Sequence, residues 1–538
     1  MSTIDDLIDE FLRWHWTESP VSATTLGVDG YDDRMPDLSS AAFTRRHRAE
    51  DDFALRFAAL AEADLTNEER IDRDALLAHL RGSQILRDWE VWRRNPDTYL
   101  TPGLMGTFML FMRAPMPEAE LAAAAVARLG AVPDLLEQGR TNLDPERVSP
   151  VLARRALGQC RAAITYVRDI LPAEVEADEP RAALIEACLV AGDAYEGFLP
   201  LLEDLADNAR GSYAIGAERY GTMLRERELL PFDAEGLRAH GREVYNELET
   251  EIRAVAREVG GSDDWRAVLD DVNADHPTSP DEMLDGYAKC SERARRFLAE
   301  HELVTLPDGE ACEVLPSPPF QRPVLAVASY FGPPAFKPSL VGRFNVPYPP
   351  EDADADDVQK RLADNSWASI PTTTVHEAYP GHHWHYAMLQ SKARPIRRVI
   401  GTSYFTEGWA LYAERMMREQ GFFTNPREDL CHLDARIFRA ARIIVDTSLH
   451  IGDMDFEEAV EFMRTKASLT EPTARAEVAR YCSWPTQAAS YLTGALVIED
   501  IRQRFLGGGQ GDLRAFHDRL AGSGALPPAL AERALTGG

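Results

Sequence analysis

The chain has 538 residues, 45% of them hydrophobic and 27% charged, the balance of a folded protein with a sizeable core rather than of collagen, a fibre or a disordered polymer. At about 100–200 residues per domain, that length predicts two to four lobes or one large helical body. Asp and Glu number 88 against 58 Lys and Arg, a formal charge of −30, and only five of the basic residues are lysine. Such a surface repels phosphate, so no nucleic-acid partner is expected. No stretch reaches 18 uncharged apolar residues, which excludes a membrane-spanning helix. The opening MSTIDDLIDEFLRWHW lacks the basic end and apolar core of a signal peptide. These features predict a cytoplasmic chain with no membrane partner. The six cysteines, Cys160, Cys188, Cys290, Cys312, Cys431 and Cys482, are scattered without a CxxC pair and read as reduced, buried thiols.

In chain order, residues 1–305 read as helix after helix. Apolar residues recur at three- and four-residue spacing over 40–62, 66–90, 150–171, 180–206, 233–258 and 279–302. Turn clusters Asn95-Pro96-Asp97, Asp144-Pro145 and Leu230-Pro231-Phe232 punctuate them. Residues 306–350 change texture: ACEVLPSPPF, RPVLAVASYF and PSLVGRFNVPYPP are proline-rich, β-branched and aromatic, and predict two to four short strands. Prolines inside the runs favour edge strands. The helical period returns over 351–538, broken at Pro380-Gly381, Pro395, Pro426, Pro472, Pro485 and Gly507-Gly508-Gly509. The expected fold is mainly α: a helical lobe over 1–305, a small β-sheet over 306–350, and a second helical lobe over 351–538. A deep cleft between the lobes would be the natural place for a site.

The chemistry concentrates in Thr374-Val375-His376-Glu377-Ala378-Tyr379-Pro380-Gly381-His382-His383-Trp384-His385, where four of the thirteen histidines fall within ten residues beside one glutamate. A His-Glu opening followed by further histidine is how zinc hydrolases draw imidazole ligands and a general base from one segment. The spacing is unusual. On an unbroken helix His382 would lie about 120° off the face of His376, and His383 would return to that face about 10.5 Å further on. Pro380 pushes Tyr379 out of the α region and Gly381 can take positive φ. The helix should therefore stop near Tyr379 and restart near His382, swinging an imidazole back toward His376. Geometry leaves both His382 and His383 open as the second ligand. The plain alternative is a histidine-rich helix junction without metal.

Thirty-one residues after His376, the stretch Tyr404-Phe405-Thr406-Glu407-Gly408-Trp409-Ala410 carries an acid, Glu407, among apolar and aromatic neighbours. A buried carboxylate needs a partner, and two histidines with one following glutamate form the ligand set of thermolysin-like zinc hydrolases. Glu414, Arg415 and Arg418 read as the solvent side of the same helix.

The segments HEAYPGHH, FTEGWALYAERMMREQG, ARIIVDTSLHIG and EVARYCSWPTQAASYLTG together resemble the domain-of-unknown-function family 885 (DUF885). So do RRNPDTYLTPGLMG, RLGAVPDLLEQGRTNL and SYAIGAERYGTMLRERELL in the N-terminal half. These large helical proteins look like zinc peptidases of the gluzincin kind, and the resemblance runs almost end to end. It implies His376, His382 and Glu407 as ligands of one Zn2+, Glu377 as base, and His383 as a neighbour. The chain departs from the family pattern at His385, where Gln is frequent, and at Thr486, where Gly is usual.

Other residues could assist. Asp446 and His450 stand four apart on one helical face, so Asp446 could orient an imidazole and His450 could steady an oxyanion. Tyr481, Gln487 and Tyr491 surround Pro485, and Tyr491 is the first choice as a phenol donating to the oxyanion. Arg436, Arg439 and Arg442 step three apart; one could read a substrate carboxylate, or all could pair with the surplus acids. The segment Lys337 to Val346 could present an edge strand to an extended peptide. The expected function is a metal-dependent hydrolase of peptide or other amide bonds. An enzyme acting on a non-peptide amide or C–N bond, and a non-catalytic metal-binding protein, are the alternatives.

Overall fold

Polar caps and apolar periodicity set the helices of this chain. Its computed structural model describes residues 3–319, 321–322, 327–350 and 353–537. Thr3 and Thr66 open helices Ile4–Glu18 and Asn67–Asp88 through reciprocal capping boxes with Asp6 and Glu69. The six periodic stretches of the N-terminal half appear as helices Ser40–Ala58, Asn67–Asp88, Pro150–Thr165, Asp178–Asn208, Ala234–Gly260 and Pro280–Glu300. Further on, Pro426 and Pro472 occupy the first turns of helices Pro426–Ile451 and Glu471–Ser483, where a missing N–H costs nothing. The fold is mainly helical with one small sheet, and no described helix is long and apolar enough to cross a membrane.

By contact the chain divides into two compact units. The first comprises Met1–Ile215 and Pro334–Pro338; the second comprises Gly216–Pro333 and Ser339–Gly538. Residues 216–305 thus group with the second unit rather than with the helices before them. In the first unit the long helix Asp178–Asn208 packs along Pro150–Thr165 and Glu118–Gly130. Its small segment Pro334–Pro338 is tied in by Phe336 N donating to the Leu26 carbonyl at 2.9 Å.

The second unit is built round helix Pro426–Ile451, buried on almost every side from Leu430 to His450. It packs against Ala234–Gly260 and Gln487–Gly507, and the latter packs in turn on Ser403–Glu419. That last crossing is backbone on backbone. A Cβ on Gly408 would stand 2.6 Å from the Gly494 carbonyl carbon, and one on Gly494 would stand 1.9 Å from the Tyr404 oxygen. The Gly of Thr406-Glu407-Gly408 is therefore what lets the two helices approach.

The sheet has three strands, β1 (Glu310–Pro316), β2 (Ser329–Phe331) and β3 (Leu340–Val346), in the order β1-β3-β2. β3 runs parallel to β1, with Glu310 opposite Leu340, and antiparallel to β2, with Ser329 opposite Asn345. Within the predicted RPVLAVASYF run, Pro323 to Ala326 lie outside the described residues. β3 is the central strand, so the expectation that Lys337 to Val346 forms an edge strand is corrected: β1 pairs with it from Leu340 to Val346 and β2 covers its other side from Arg343 to Asn345. All six cysteines are unpaired and five are buried; Cys312 is half-buried.

Candidate metal centre

The site starts from a helix break. Helix Ile370–Glu377 ends at Ala378, whose φ −106° and ψ −89° leave the helical region. A cis Tyr379–Pro380 peptide follows, and the next helix runs His382–Lys392. The break falls a residue or two before the expected Tyr379, and the restart at His382 is as expected. Gly381 does not use positive φ; it sits at φ −66°, ψ −131°. Glycine is needed there for another reason: a Cβ would lie 1.9 Å from the His376 carbonyl oxygen and 2.2 Å from that of Val375. The turn is held from outside by Trp409, whose indole N–H donates to the Pro380 carbonyl at 2.8 Å.

This turn brings the His382 ring back to His376, with ring centroids 4.8 Å apart and planes at 88°. Glu407 Oε2 stands 3.6 Å from His376 Nε2 and 3.5 Å from His382 Nε2. Ligand atoms bound at about 2.0–2.2 Å in a tetrahedron are separated by about 3.3–3.6 Å, so these spacings suit the edges of such a polyhedron. Among the described residues this is the one grouping of three or more His, Cys, Asp or Glu side chains whose donor atoms converge, all lying within 4.8 Å of one another.

The donor chemistry fits a divalent cation as well. His376 Nδ1 lies 2.7 Å from Glu414 Oε1; donation there leaves the Nε2 lone pair facing Glu407. Glu414 is 2% exposed and also accepts from the Thr372 hydroxyl at 2.9 Å. Its expected place on the solvent side is therefore wrong. Glu407 and Glu414 are seven residues apart, two turns along one helical face, and they hold the two nitrogens of one imidazole. His382 Nδ1 is buried without a hydrogen-bond partner, so the nitrogen engaged is the one facing Glu407. Burial opposes the charge on His376, but its hydrogen bonds to Glu407 and Glu414 push its pKa up to about 10. Burial likewise opposes charge on the two carboxylates, yet the imidazoles hold both well below the usual range. A carboxylate thus stands at each ring nitrogen of His376.

Glu377 is half-buried beside these residues, and among the described residues no hydrogen bond engages its carboxylate. Burial raises its pKa, with His376 and His382 pulling the other way.

His383 has a different environment. It is fully buried; its Nε2 lies 2.8 Å from Glu310 Oε2 and its Nδ1 2.9 Å from the Tyr330 hydroxyl. Glu310, from β1, also accepts from Tyr379 at 2.6 Å and Arg295 at 2.8 Å. Both ring nitrogens of His383 are engaged, which leaves His382 as the histidine with a nitrogen for the cluster.

The remaining candidates separate in the same way. Asp446 and His450 are fully buried rather than placed on a helix surface. His450 Nε2 is 3.0 Å from the Tyr481 carbonyl and 3.8 Å from Asp446 Oδ1. Asp446 Oδ2 accepts from Tyr220 at 2.5 Å and from the Thr486 N–H at 3.2 Å. Thr486 itself takes φ +70°, a left-handed conformation uncommon for β-branched residues, which explains why glycine would suit that position. The Tyr481 hydroxyl donates to Glu477 at 2.7 Å. Tyr491 is half-buried, with Gln487 Nε2 at 3.5 Å from its hydroxyl. It lies on helix Gln487–Gly507, one turn before the Gly494 that touches the Glu407 helix. His385 is enclosed by Phe405, Trp409 and Tyr386, and burial lowers its pKa to about 3.

Sequence reasoning missed Glu414, Thr372, Trp409 and Tyr330. The seven-residue interval from Glu407 was a signal for Glu414. Tyr330 sits in β2 and lies parallel to the His382 ring at 6.4 Å, a placement no local pattern announces.

Fold and site together define a large helical protein with an inward-facing His–His–Glu cluster behind a small mixed sheet. The chain belongs to the family of bacterial proteins of unknown function DUF885, whose profile matches residues 20–535. Two solved structures share the fold over nearly their whole length. One, from Shewanella oneidensis, is described as a "putative lipoprotein of unknown function"; it is 20% identical, with TM-score 0.81, covering 99% of each chain. The other, a "putative lipoprotein" from Colwellia psychrerythraea, is 20% identical with TM-score 0.82, covering 100% of this chain and 99% of its own. No curated protein matches. The expectation of a cytoplasmic chain is overturned by these neighbours: proteins described as lipoproteins carry this same fold, so the fold gives no cytoplasmic address.

Proposed function

We propose that this protein is a metal-dependent hydrolase of peptide or other amide bonds, with one divalent metal held by His376, His382 and Glu407. The relation to zinc peptidases of the gluzincin kind is part of this reading. The observation that carries it is the convergence of three donor atoms at ligand spacing, with His376 locked by Glu414 so that Nε2 faces the centre. Two imidazoles and a carboxylate suit Zn2+, and Mn2+, Co2+ or Fe2+ would accept the same donors.

When bound, such a metal supplies an acidified water and polarises a carbonyl. The chain's own residues do the rest. Glu377, next to a ligand and free of other hydrogen bonds, accepts the water's proton and returns it to the leaving nitrogen. Of the two helpers expected for the oxyanion, Tyr491 is half-buried, while His450 is fully buried and bound to the Tyr481 carbonyl. Tyr491 is therefore the proposed donor. A structural metal site would need no glutamate beside its first ligand, which favours the catalytic reading over a purely binding one. Cleavage of a peptide library by the metal-loaded chain, abolished by chelator and restored by Zn2+, tests it. Stoichiometric metal without cleavage of any peptide or small amide would remove it.

A further inference from the structure

Helix Pro426–Ile451 carries Arg436, Arg439 and Arg442, and their surroundings differ. Arg436 is 3% exposed and pairs with Glu499 at 2.6 Å. Arg442 pairs with Glu477 at 2.6 Å, donates to the Tyr481 hydroxyl at 3.1 Å and lies 4.7 Å from the Tyr491 ring centre. Arg439 has no such partner. One of its terminal nitrogens donates to the Ala435 carbonyl of its own helix at 3.1 Å, and its guanidinium rests 5.1 Å from the Phe438 ring centre. Its Nε is buried with no hydrogen bond. Among the described residues no carboxylate forms an ion pair with it, in a chain with thirty more acids than bases.

Its position ties it to the site. His432, seven residues earlier on the same face, stands 3.4 Å from Glu414, and Arg442, three residues later, lies over Tyr491. Arg439 falls between the two along this helix. The nearby Asp434 forms no ion pair with Arg439 among the described residues, and burial raises the Asp434 carboxyl pKa to about 7 against the pull of Arg439 and Arg266. A planar fork of donors with an unused buried N–H and no counter-ion is suited to a carboxylate.

We propose that Arg439 receives the C-terminal carboxylate of the substrate, so that the site selects peptides ending in a free carboxyl group. This inference rests on the hydrolase reading. A charge-assisted hydrogen bond of this kind contributes about 1.5–3 kcal/mol, about tenfold to a hundredfold in affinity.

The test uses two N-acetylated tripeptides that differ only in a C-terminal carboxylate or amide. Their binding to the zinc-loaded full chain is measured by calorimetry in a Glu377→Gln background, which prevents turnover. The expected result is at least about tenfold tighter binding of the free acid, lost in Arg439→Gln and partly regained in Arg439→Lys. Equal binding of the two peptides, or a preference that survives Arg439→Gln, overturns the proposal. So does a uniform weakening of both peptides, the mark of a structural role. Hydrolysis of the same pair by the native chain is scored separately. Preference in binding without cleavage leaves the Arg439 site standing and removes the hydrolase reading; cleavage without preference does the reverse.

Discussion

His382 and His383 are neighbours at the start of one helix, yet they belong to two polar networks of opposite character. The His383 network, with Glu310, Tyr379, Arg295 and Tyr330, is closed: every nitrogen of the ring is engaged and the Glu310 side chain is 0% exposed. The His376–His382–Glu407 network instead turns three donor atoms toward one another, with Glu407 Oε2 3.5–3.6 Å from the Nε2 atoms of both imidazoles. Buried polar groups in folded proteins are almost always satisfied. Capacity left over inside such a cluster is what marks a ligand site, whereas saturation marks architecture. In the Asp446–His450 pair, Tyr220 and Thr486 engage one carboxylate oxygen and the Tyr481 carbonyl engages Nε2 of the ring.

Breaking the open network should have the largest effect. Protein purified without added metal should carry about one divalent ion per chain, and His376→Ala or Glu407→Ala should lose it by elemental analysis, together with hydrolysis. Glu377→Gln should keep the ion and lose about 10²–10⁴-fold in turnover; release of the metal would make Glu377 a ligand instead. Gly381→Ala attacks the same network through the backbone. Its Cβ would collide with the His376 carbonyl, so metal affinity, measured by competition with a chelating dye, should fall by more than about tenfold, or about 1.4 kcal/mol.

The support of the open network is the next target. Glu414→Ala removes the acceptor that orients His376, and metal affinity should fall about 10–100-fold without loss of any ligand. An unchanged affinity would reduce Glu414 to a bystander. His383→Ala sharpens the comparison from the closed side. It should leave metal content nearly intact while lowering unfolding stability in urea by about 3 kcal/mol, because a buried carboxylate loses one partner. If His383→Ala strips the metal and His382→Ala does not, the two networks have been assigned the wrong way round.

The smallest effect on the metal site concerns Asp446. Burial raises its carboxyl pKa from 3.8 to about 7, with the Tyr220 and Thr486 hydrogen bonds opposing the shift. Between these limits the folded chain holds a proton that the unfolded chain has released, so this group's contribution to stability declines as pH rises from about 4 to about 7. Asp446→Asn should flatten that part of the pH–stability curve and leave metal binding unchanged. An identical slope in both proteins would remove Asp446 as its source.

Much of the fold was legible in the chain because it depends on neighbours. Periodicity of apolar residues and Thr, Asp or Pro caps act within a few residues, and the six predicted N-terminal helices and the helix breaks near Pro380, Pro426 and Pro472 follow from them. The small sheet was legible for the same reason, in its β-branched and proline-rich runs. The order of its strands was not, because pairing β1 with β3 joins residues thirty apart, and β3 became the centre rather than an edge. The candidate metal residues were named from their types and from a family resemblance, but local geometry could not separate His382 from His383.

The amino-acid sequence by itself determined which segments are helical, where the histidine helix breaks, and that His376, Glu377, His382, His383 and Glu407 are the candidates for a metal site. Only the tertiary structure decided which polar groups are left with unused capacity. His376 meets Glu414 across 38 positions of sequence and His383 meets Glu310 across 73. Of three evenly spaced arginines, two find carboxylates on other helices, Glu499 and Glu477, and Arg439 does not. Hydrogen-bond satisfaction is a property of which distant groups arrive at one place, and the chain's local rules act over three or four residues.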